Sequence, residues 1–240
     1  MTESSDHLSA KGFLSAEGSP PAKGFFVTGT DTEVGKTVFS AALIRFLVNQ
    51  GHSVAGLKPI ASGFEQVGDR LQNEDVQRIS AAANVCLPPE RINRYGFKPA
   101  IAPHIAAINA GVTMDLNAIA SDLQYALSRS DSVIVEGVGG WLVPLDERNT
   151  IESLARLLAL PVILVVGMRL GCLNHALLTA QAIQRSGLPF AGWVSNHIQP
   201  EFSHVSENLA TLESSMPIPR LFDLPYFDNI DESFLTAVRD

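Results

Sequence analysis

The chain has 240 residues, 46% of them hydrophobic and 18% charged, with a formal net charge of −8. This profile suits one soluble domain with a sizeable core, and its acidity excludes a broad electrostatic grip on nucleic acid or anionic membrane. The two cysteines, Cys86 and Cys172, form neither a disulfide framework nor a metal-ligand spacing, which fits a reducing, cytoplasmic setting.

Residues 1–23 carry acids from Glu3 onward and have no continuous apolar run. They read as a flexible N-terminal extension, not as a secretory or transit segment. No stretch reaches the roughly 18 uninterrupted apolar residues of a membrane span. Residues 24–240 show no repeat, low-complexity tract or linker and read as a single domain.

In chain order, apolar runs occur at 24–30, 53–60, 132–140, 161–168, 190–198 and 217–226. They are near-continuously hydrophobic, as expected of strands buried on both faces of a parallel sheet. Helical patterns fall between and after them at 36–50, 74–84, 103–110, 115–129, 150–159, 174–186, 203–215 and 229–239. The alternation predicts a three-layer α/β fold with a mainly parallel central sheet and right-handed crossovers. Ligands of such sheets collect at the carboxyl ends of the strands. Thr30 to Thr37, Lys58 to Gly63, Glu136 to Trp141, Gly167 to Asn174 and Asn196-His197 all fall there.

The first turn, "GTDTEVGKT", departs from the usual phosphate-loop spacing. Gly35-Lys36-Thr37 is in place, but Thr30 stands where the first glycine belongs. A strand, a glycine-bearing turn and a helix N-terminus aim backbone N–H groups at one spot. Lys36 would reach β- and γ-phosphate oxygens and the Thr37 hydroxyl a magnesium ion. The plain alternative is a surface helix that happens to open with Gly-Lys-Thr. Thr30 is compatible with a phosphate cradle provided that its φ stays negative.

Lys58, closing the second run, reads either as a strand-end surface lysine or as a second cation at the phosphate rim. Glu136 ends a hydrophobic strand, where an unpaired carboxylate is costly without a cation. Asp75 reads as a helix cap or first-turn charge, or as a metal ligand. Thr37, Asp75 and Glu136 form a plausible oxygen set for magnesium. Residues 170–176, "LGCLNHA", join a strand to a helix, and their N–H groups suit a carboxylate. Cys172 and His175 lack a third residue to orient them as a nucleophilic pair, and His104, Trp141 and Trp193 read as packing residues.

Taken together, "VTGTDTEVGKT", "GLKPIASG", "VEGVGGWLVPL", "ILVVGMRLGCLNHALLTAQAI" and "AGWVSN" resemble the dethiobiotin synthetase family from about Gly24 to Phe227. The resemblance implies a P-loop NTPase-like fold and a cytoplasmic homodimer of biotin biosynthesis. It further implies joining of CO2 to 7,8-diaminopelargonic acid with ATP and magnesium. It assigns Glu33, Val34, Gly35, Lys36 and Thr37 to the triphosphate, and Thr37, Asp75 and Glu136 to the metal. Lys58 is implied as the catalytic lysine beside Lys36, with Gly137, Val138 and Gly139 at the nucleotide. Thr32 and Ser62 would lie near the diamine. Gly171, Cys172, Leu173 and Asn174 would receive the substrate carboxylate from the partner subunit. Asn196 would contact adenine, with Pro225, Tyr226 and Phe227 lining the base pocket. His197 departs from the Asp common after that Asn, which bears on nucleotide selectivity.

Two rivals share this loop. A cobyrinic-acid-type amide ligase would ordinarily bring a glutamine-hydrolysing domain, for which these residues leave no room. A partition or division-site nucleotide switch carries Lys five residues before the loop lysine, where this chain has Asp31.

Overall fold

Six parallel strands form the centre of the molecule, and their side chains alternate between two apolar layers. The computed structural model describes residues 23–226. The extension up to Ala22, Phe227 and the expected helix at 229–239 lie outside the described residues. In chain order the elements are β1 (Gly24–Gly29), α1 (Lys36–Asn49), β2 (Val54–Leu57), β3 (Ile60–Ser62), β4 (Glu65–Val67) and β5 (Arg70–Gln72). Next come α2 (Glu74–Ala82), α3 (Pro89–Ile92), β6 (Tyr95–Phe97), α4 (Pro103–Ala110), α5 (Leu116–Leu127) and β7 (Ser132–Gly140). The described elements close with α6 (Ile151–Leu158), β8 (Val162–Met168), α7 (Cys172–Arg185), β9 (Phe190–His197), α8 (Val205–Ser215) and β10 (Arg220–Leu224).

The main sheet has the order β10-β9-β8-β1-β7-β2, with every neighbouring pair parallel. Successive residues point to opposite faces. Phe25, Val27, Ile134, Ile163 and Val165 therefore pack under α1 and α2, against Phe39, Leu43, Leu47 and Ile79. Phe26, Val133, Val135, Leu164 and Val166 pack on the other face, against residues of α5, α6, α7 and α8 such as Ile119, Leu154, Ala176 and Leu212. Burial on both faces is why these runs are apolar without alternation. Each fully buried large aliphatic or aromatic side chain contributes about 1.5–3 kcal/mol relative to exposure.

The run expected at 53–60 divides at Pro59. β2 ends at Leu57, and β3 pairs instead with β6 in a separate two-stranded sheet. Proline has no N–H to give a ladder, and the Lys58 N–H leaves the sheet to donate to the Ile92 carbonyl (2.9 Å). The antiparallel β4–β5 hairpin, α3 and β6 were not expected from the sequence. Among the described residues no helix is long and apolar enough to cross a membrane.

Strand register sets the chemistry of the rim. Leu57 lies opposite Val135, and Val27 lies opposite Glu136. Lys58 and Glu136 therefore emerge side by side at the carboxyl edge, next to the turn that follows β1. The pairing of β1 with β7 then slips, from Val27 with Glu136 to Gly29 with Gly140. The extra residues bow β7 out at Gly137 to Gly139. Gly139 has φ +61°, and a Cβ there would lie 2.8 Å from Val143 Cγ2. Only glycine suits that bend.

Candidate active site

After β1 the chain turns sharply into α1, and the positive φ angles of this loop fall on Glu33 (+59°) and Gly35 (+84°), not on Thr30. The Thr30 N–H donates to the Val165 carbonyl (3.0 Å), which fixes the loop to β8. A Cβ on Gly35 would come within 1.9 Å of Asn196 Nδ2. That nitrogen donates to the Val34 carbonyl (2.9 Å), so the end of β9 is keyed into the loop. Lys36 folds back to donate from Nζ to the Asp31 carbonyl (2.7 Å).

Thr37, in the first turn of α1, donates from Oγ1 to Glu136 Oε1 (2.8 Å). Lys58 Nζ donates to the same Glu136 oxygen and to the Gly137 carbonyl (3.1 Å). It also stands 3.1 Å from Asp75 Oδ2. Lys58 is 2% exposed and Glu136 0%. The cation that a buried Glu136 requires is thus, within the chain, Lys58. Burial alone would lower the Lys58 pKa, but Glu136 and Asp75 outweigh it and hold the ammonium above its ordinary range. Lys36 shifts the other way, to about 8, through burial and then the repulsion of Lys58. Burial works against the Asp75 carboxylate, yet Lys58 and the Thr37 hydroxyl keep its pKa below the usual value.

A cavity of about 630 Å³ opens over this cluster. It is lined by Thr32, Lys36, Thr37, Lys58, Ser62 and Asp75, with Val138 and Gly139 on one wall and Ala100 to Pro103 on another. A second cavity of about 190 Å³ shares Glu33, Gly35 and Val38 with the first, and reaches Asn196, His197, Ile198, Pro225 and Tyr226. Gly171, Leu173 and Asn174 line neither cavity of their own chain. Cys172 begins α7 and is buried at 3% exposure.

A hydroxyl and two carboxylates form a hard oxygen donor set that fits magnesium. Glu136 Oε2 is buried without a hydrogen-bond partner in this structure, an unpaired carboxylate oxygen that a cation would satisfy. The set holds only two carboxylates, and among the described residues no group of three or more His, Cys, Asp or Glu is arranged to hold a metal. This is the sparse protein ligation that magnesium accepts beside phosphates and water.

Several contributors escaped the sequence reading. Asn73 caps α2 by accepting from the Val76 N–H (3.2 Å) and donates to the Ser62 carbonyl (3.1 Å). It thereby ties the end of β3 to the helix that carries Asp75. An Asn followed by Glu74 and Asp75 is a readable helix start. The Asn93 amide holds the Lys58 carbonyl (2.7 Å). Arg169 pairs with Asp31 across the loop, and Asp223 of β10 pairs with His197 (3.0 Å). These long-range pairs leave no local sequence signal.

The family model of the AAA domain (AAA_26) matches residues 23–233. The chain is 48% identical over 202 residues to an ATP-dependent dethiobiotin synthetase BioD of Pseudomonas paraeruginosa, covering 84% of this chain and 89% of that protein. It is 46% identical over 218 residues to a protein of the same name from Nitrosospira multiformis, covering 91% and 95%. The chain belongs to the ATP-dependent dethiobiotin synthetase family. Solved structures with a similar fold include a ParA family ATPase from Chlorobium tepidum TLS, with TM-score 0.54, 14% identity and coverage of 92% and 90%. Another is the septum site-determining protein MinD with Mg-ADP from Pyrococcus horikoshii OT3, with TM-score 0.56, 16% identity and coverage of 90% and 86%. At such identities they establish the fold alone. Within that fold this synthetase family member carries Asp31 at the place of the switch-type lysine, and pairs it with Arg169 of its own chain.

Proposed function

We propose that the chain closes the cyclic urea of dethiobiotin from 7,8-diaminopelargonic acid and CO2, with ATP as phosphoryl donor and magnesium as the metal. One amine of the diamine adds to CO2 and loses a proton, giving a carbamate. A carbamate oxygen attacks the γ-phosphorus and the bond to ADP breaks, leaving a carbamic–phosphoric anhydride. The second amine then attacks the anhydride carbon, and phosphate departs.

The observation that carries this reading is the meeting of Lys36, Lys58, Thr37, Asp75 and Glu136 on one rim. An anionic carbamate must approach an anionic γ-phosphate, and fixed cations lower that repulsion. Lys36 leaves the Asp31 carbonyl to bind β- and γ-phosphate oxygens. Lys58, held at the floor of the cavity, stabilises charge developing between carbamate and phosphorus. Thr37, Asp75 and Glu136 hold magnesium, which supplies charge neutralisation on the phosphates when bound. Thr32 and Ser62 position the diamine for ring closure, a proximity problem that needs no covalent enzyme intermediate. The Ser62 hydroxyl lines the cavity and is buried without a partner, which suits an amine ligand.

Gly171 to Asn174, at the start of α7, takes the substrate carboxylate of a second subunit. It lines neither cavity of its own chain, and Leu170 beside it is 93% exposed, which supports a homodimer with shared sites. Purified protein given ATP and magnesium should release phosphate only when diamine and bicarbonate are both present, with dethiobiotin appearing by mass spectrometry in equal amount. Phosphate release that ignores the diamine would refute the proposal.

A further inference from the structure

Lys58 stands one residue beyond the end of β2, whose last partner in the main sheet is Val135, opposite Leu57. The next residue, Pro59, has no N–H to give. Both main-chain groups of Lys58 are taken instead by one segment, the turn from α3 into β6. The Lys58 N–H donates to the Ile92 carbonyl (2.9 Å), and the Lys58 carbonyl accepts from Asn93 Nδ2 (2.7 Å). The Pro59 carbonyl then accepts from the N–H groups of Arg94 (3.0 Å) and Tyr95 (2.9 Å). Among these bonds only the one from Asn93 comes from a side chain.

The turn is itself anchored. Asp122 of α5 is 2% exposed and accepts from Arg91 Nη1 (2.9 Å) and Arg94 Nε (2.8 Å), the two arginines that bracket Asn93. Charge-assisted bonds of this kind are the strong ones. The Asn93 N–H donates to the Pro89 carbonyl (2.9 Å) and closes α3. A carbonyl can only accept, so the bond to Lys58 settles which way the Asn93 amide points. Gly96 leaves room behind it, since a Cβ there would lie 2.8 Å from Asn93 Oδ1.

The ammonium of Lys58 sits at the end of a long, flexible stem, against Glu136, Asp75 and the Gly137 carbonyl. Glu136 and Asp75 are also the acids proposed for the metal, so they are not standing supports for the ammonium during turnover. The root of the side chain must be fixed by its own main chain. We propose that Asn93 is a positioning residue for Lys58: by holding the Lys58 carbonyl it aims the ammonium at the charge that develops between carbamate and γ-phosphorus. This rests on the proposed reaction and deepens it. Asn93 lines neither cavity and acts only through Lys58.

The test measures turnover, nucleotide affinity and melting of the full chain in Asn93→Ala, and in Asn93→Leu, which keeps the branched shape without the N–H donor. In both variants kcat should fall by about 10- to 100-fold. ATP affinity should stay within about twofold of the unmodified protein, and Tm should drop by only about 2–4 °C. The deciding arm places Asn93→Ala on Lys58→Ala. With the ammonium gone there is nothing left to aim, so the residual kcat should change by less than about twofold. A merely structural role would lower turnover by the same factor in both backgrounds. An unchanged kcat in Asn93→Ala and Asn93→Leu, or equal falls with and without Lys58, overturns the inference while the reaction stands. Absence of dethiobiotin from the unmodified protein is a different result, which overturns the reaction and the role of Asn93 with it.

Discussion

Removing Lys58 tests the electrostatics of the rim most directly. Lys58→Met keeps much of the side-chain length but takes away the cation next to Glu136, whose Oε2 already lacks a partner. The remaining contact to this carboxylate is the Thr37 hydroxyl at 2.8 Å. Breaking a buried pair from one side costs about 3–5 kcal/mol, because the other charge is stranded. For a chain of this size each kcal/mol moves Tm by about 2–4 °C, so a fall of roughly 6–20 °C is expected. Circular-dichroism melts without magnesium or nucleotide measure it. Lys58→Met/Glu136→Gln removes both charges and should regain most of the loss. A Tm within about 2 °C of the unmodified protein, or a double variant no more stable than the single one, would refute the reasoning.

Lys36→Ala should abolish turnover through lost nucleotide affinity, whereas Lys58→Ala should lower kcat more than nucleotide affinity; calorimetry alongside turnover separates the two, and equal affinity losses would contradict the role given to Lys58. Because Lys36 titrates near 8 in the free protein, nucleotide affinity should fall as pH rises through that value, and a flat profile from pH 7 to 9 would count against it. The sign for stability is opposite. Between about 8 and 10.5 the unfolded lysine holds a proton that the folded one lacks, so this group makes stability rise with pH. Glu136→Gln should raise the magnesium concentration for half-maximal rate, and an unchanged titration would remove Glu136 from the ligand set. Gly35→Ala places a methyl group on Asn196 Nδ2 at φ +84° and should cost at least about 1 kcal/mol while weakening nucleotide binding, since both the backbone and the loop key are disturbed.

The main sheet was legible because strands buried on both faces must be continuously apolar, and each of the six runs contributes a strand to it. The rim was legible for a related reason. In a parallel sheet every carboxyl end faces one way, so the sequence alone places Lys36, Lys58 and Glu136 on a common edge. Legibility ended where structure depends on side-chain hydrogen bonds or on exposed short elements. The β4–β5 hairpin is solvent-facing, with Val67 and Leu71 themselves exposed, and its signal was the Gly68-Asp69 pair between Val67 and Arg70, a two-residue turn of recognisable type. Pro59 announced a break in the run that the apolar pattern concealed. α7 begins at Cys172, two residues before the apolar periodicity suggested, because Gly171 at φ +94° stands at its N-cap. Which way Lys58 faced was open in the sequence. Register decides it, since pairing of Leu57 with Val135 leaves the next side chain beside Glu136.

Lys58 also gives the resting protein an internal stand-in for the proposed metal. Because an ammonium already lies against both acids, the fold does not depend on a divalent ion in the way that small metal-nucleated domains do. A chelator should therefore silence this protein without melting it. Starvation for magnesium would leave an intact reserve that regains activity as soon as the ion and its nucleotide return.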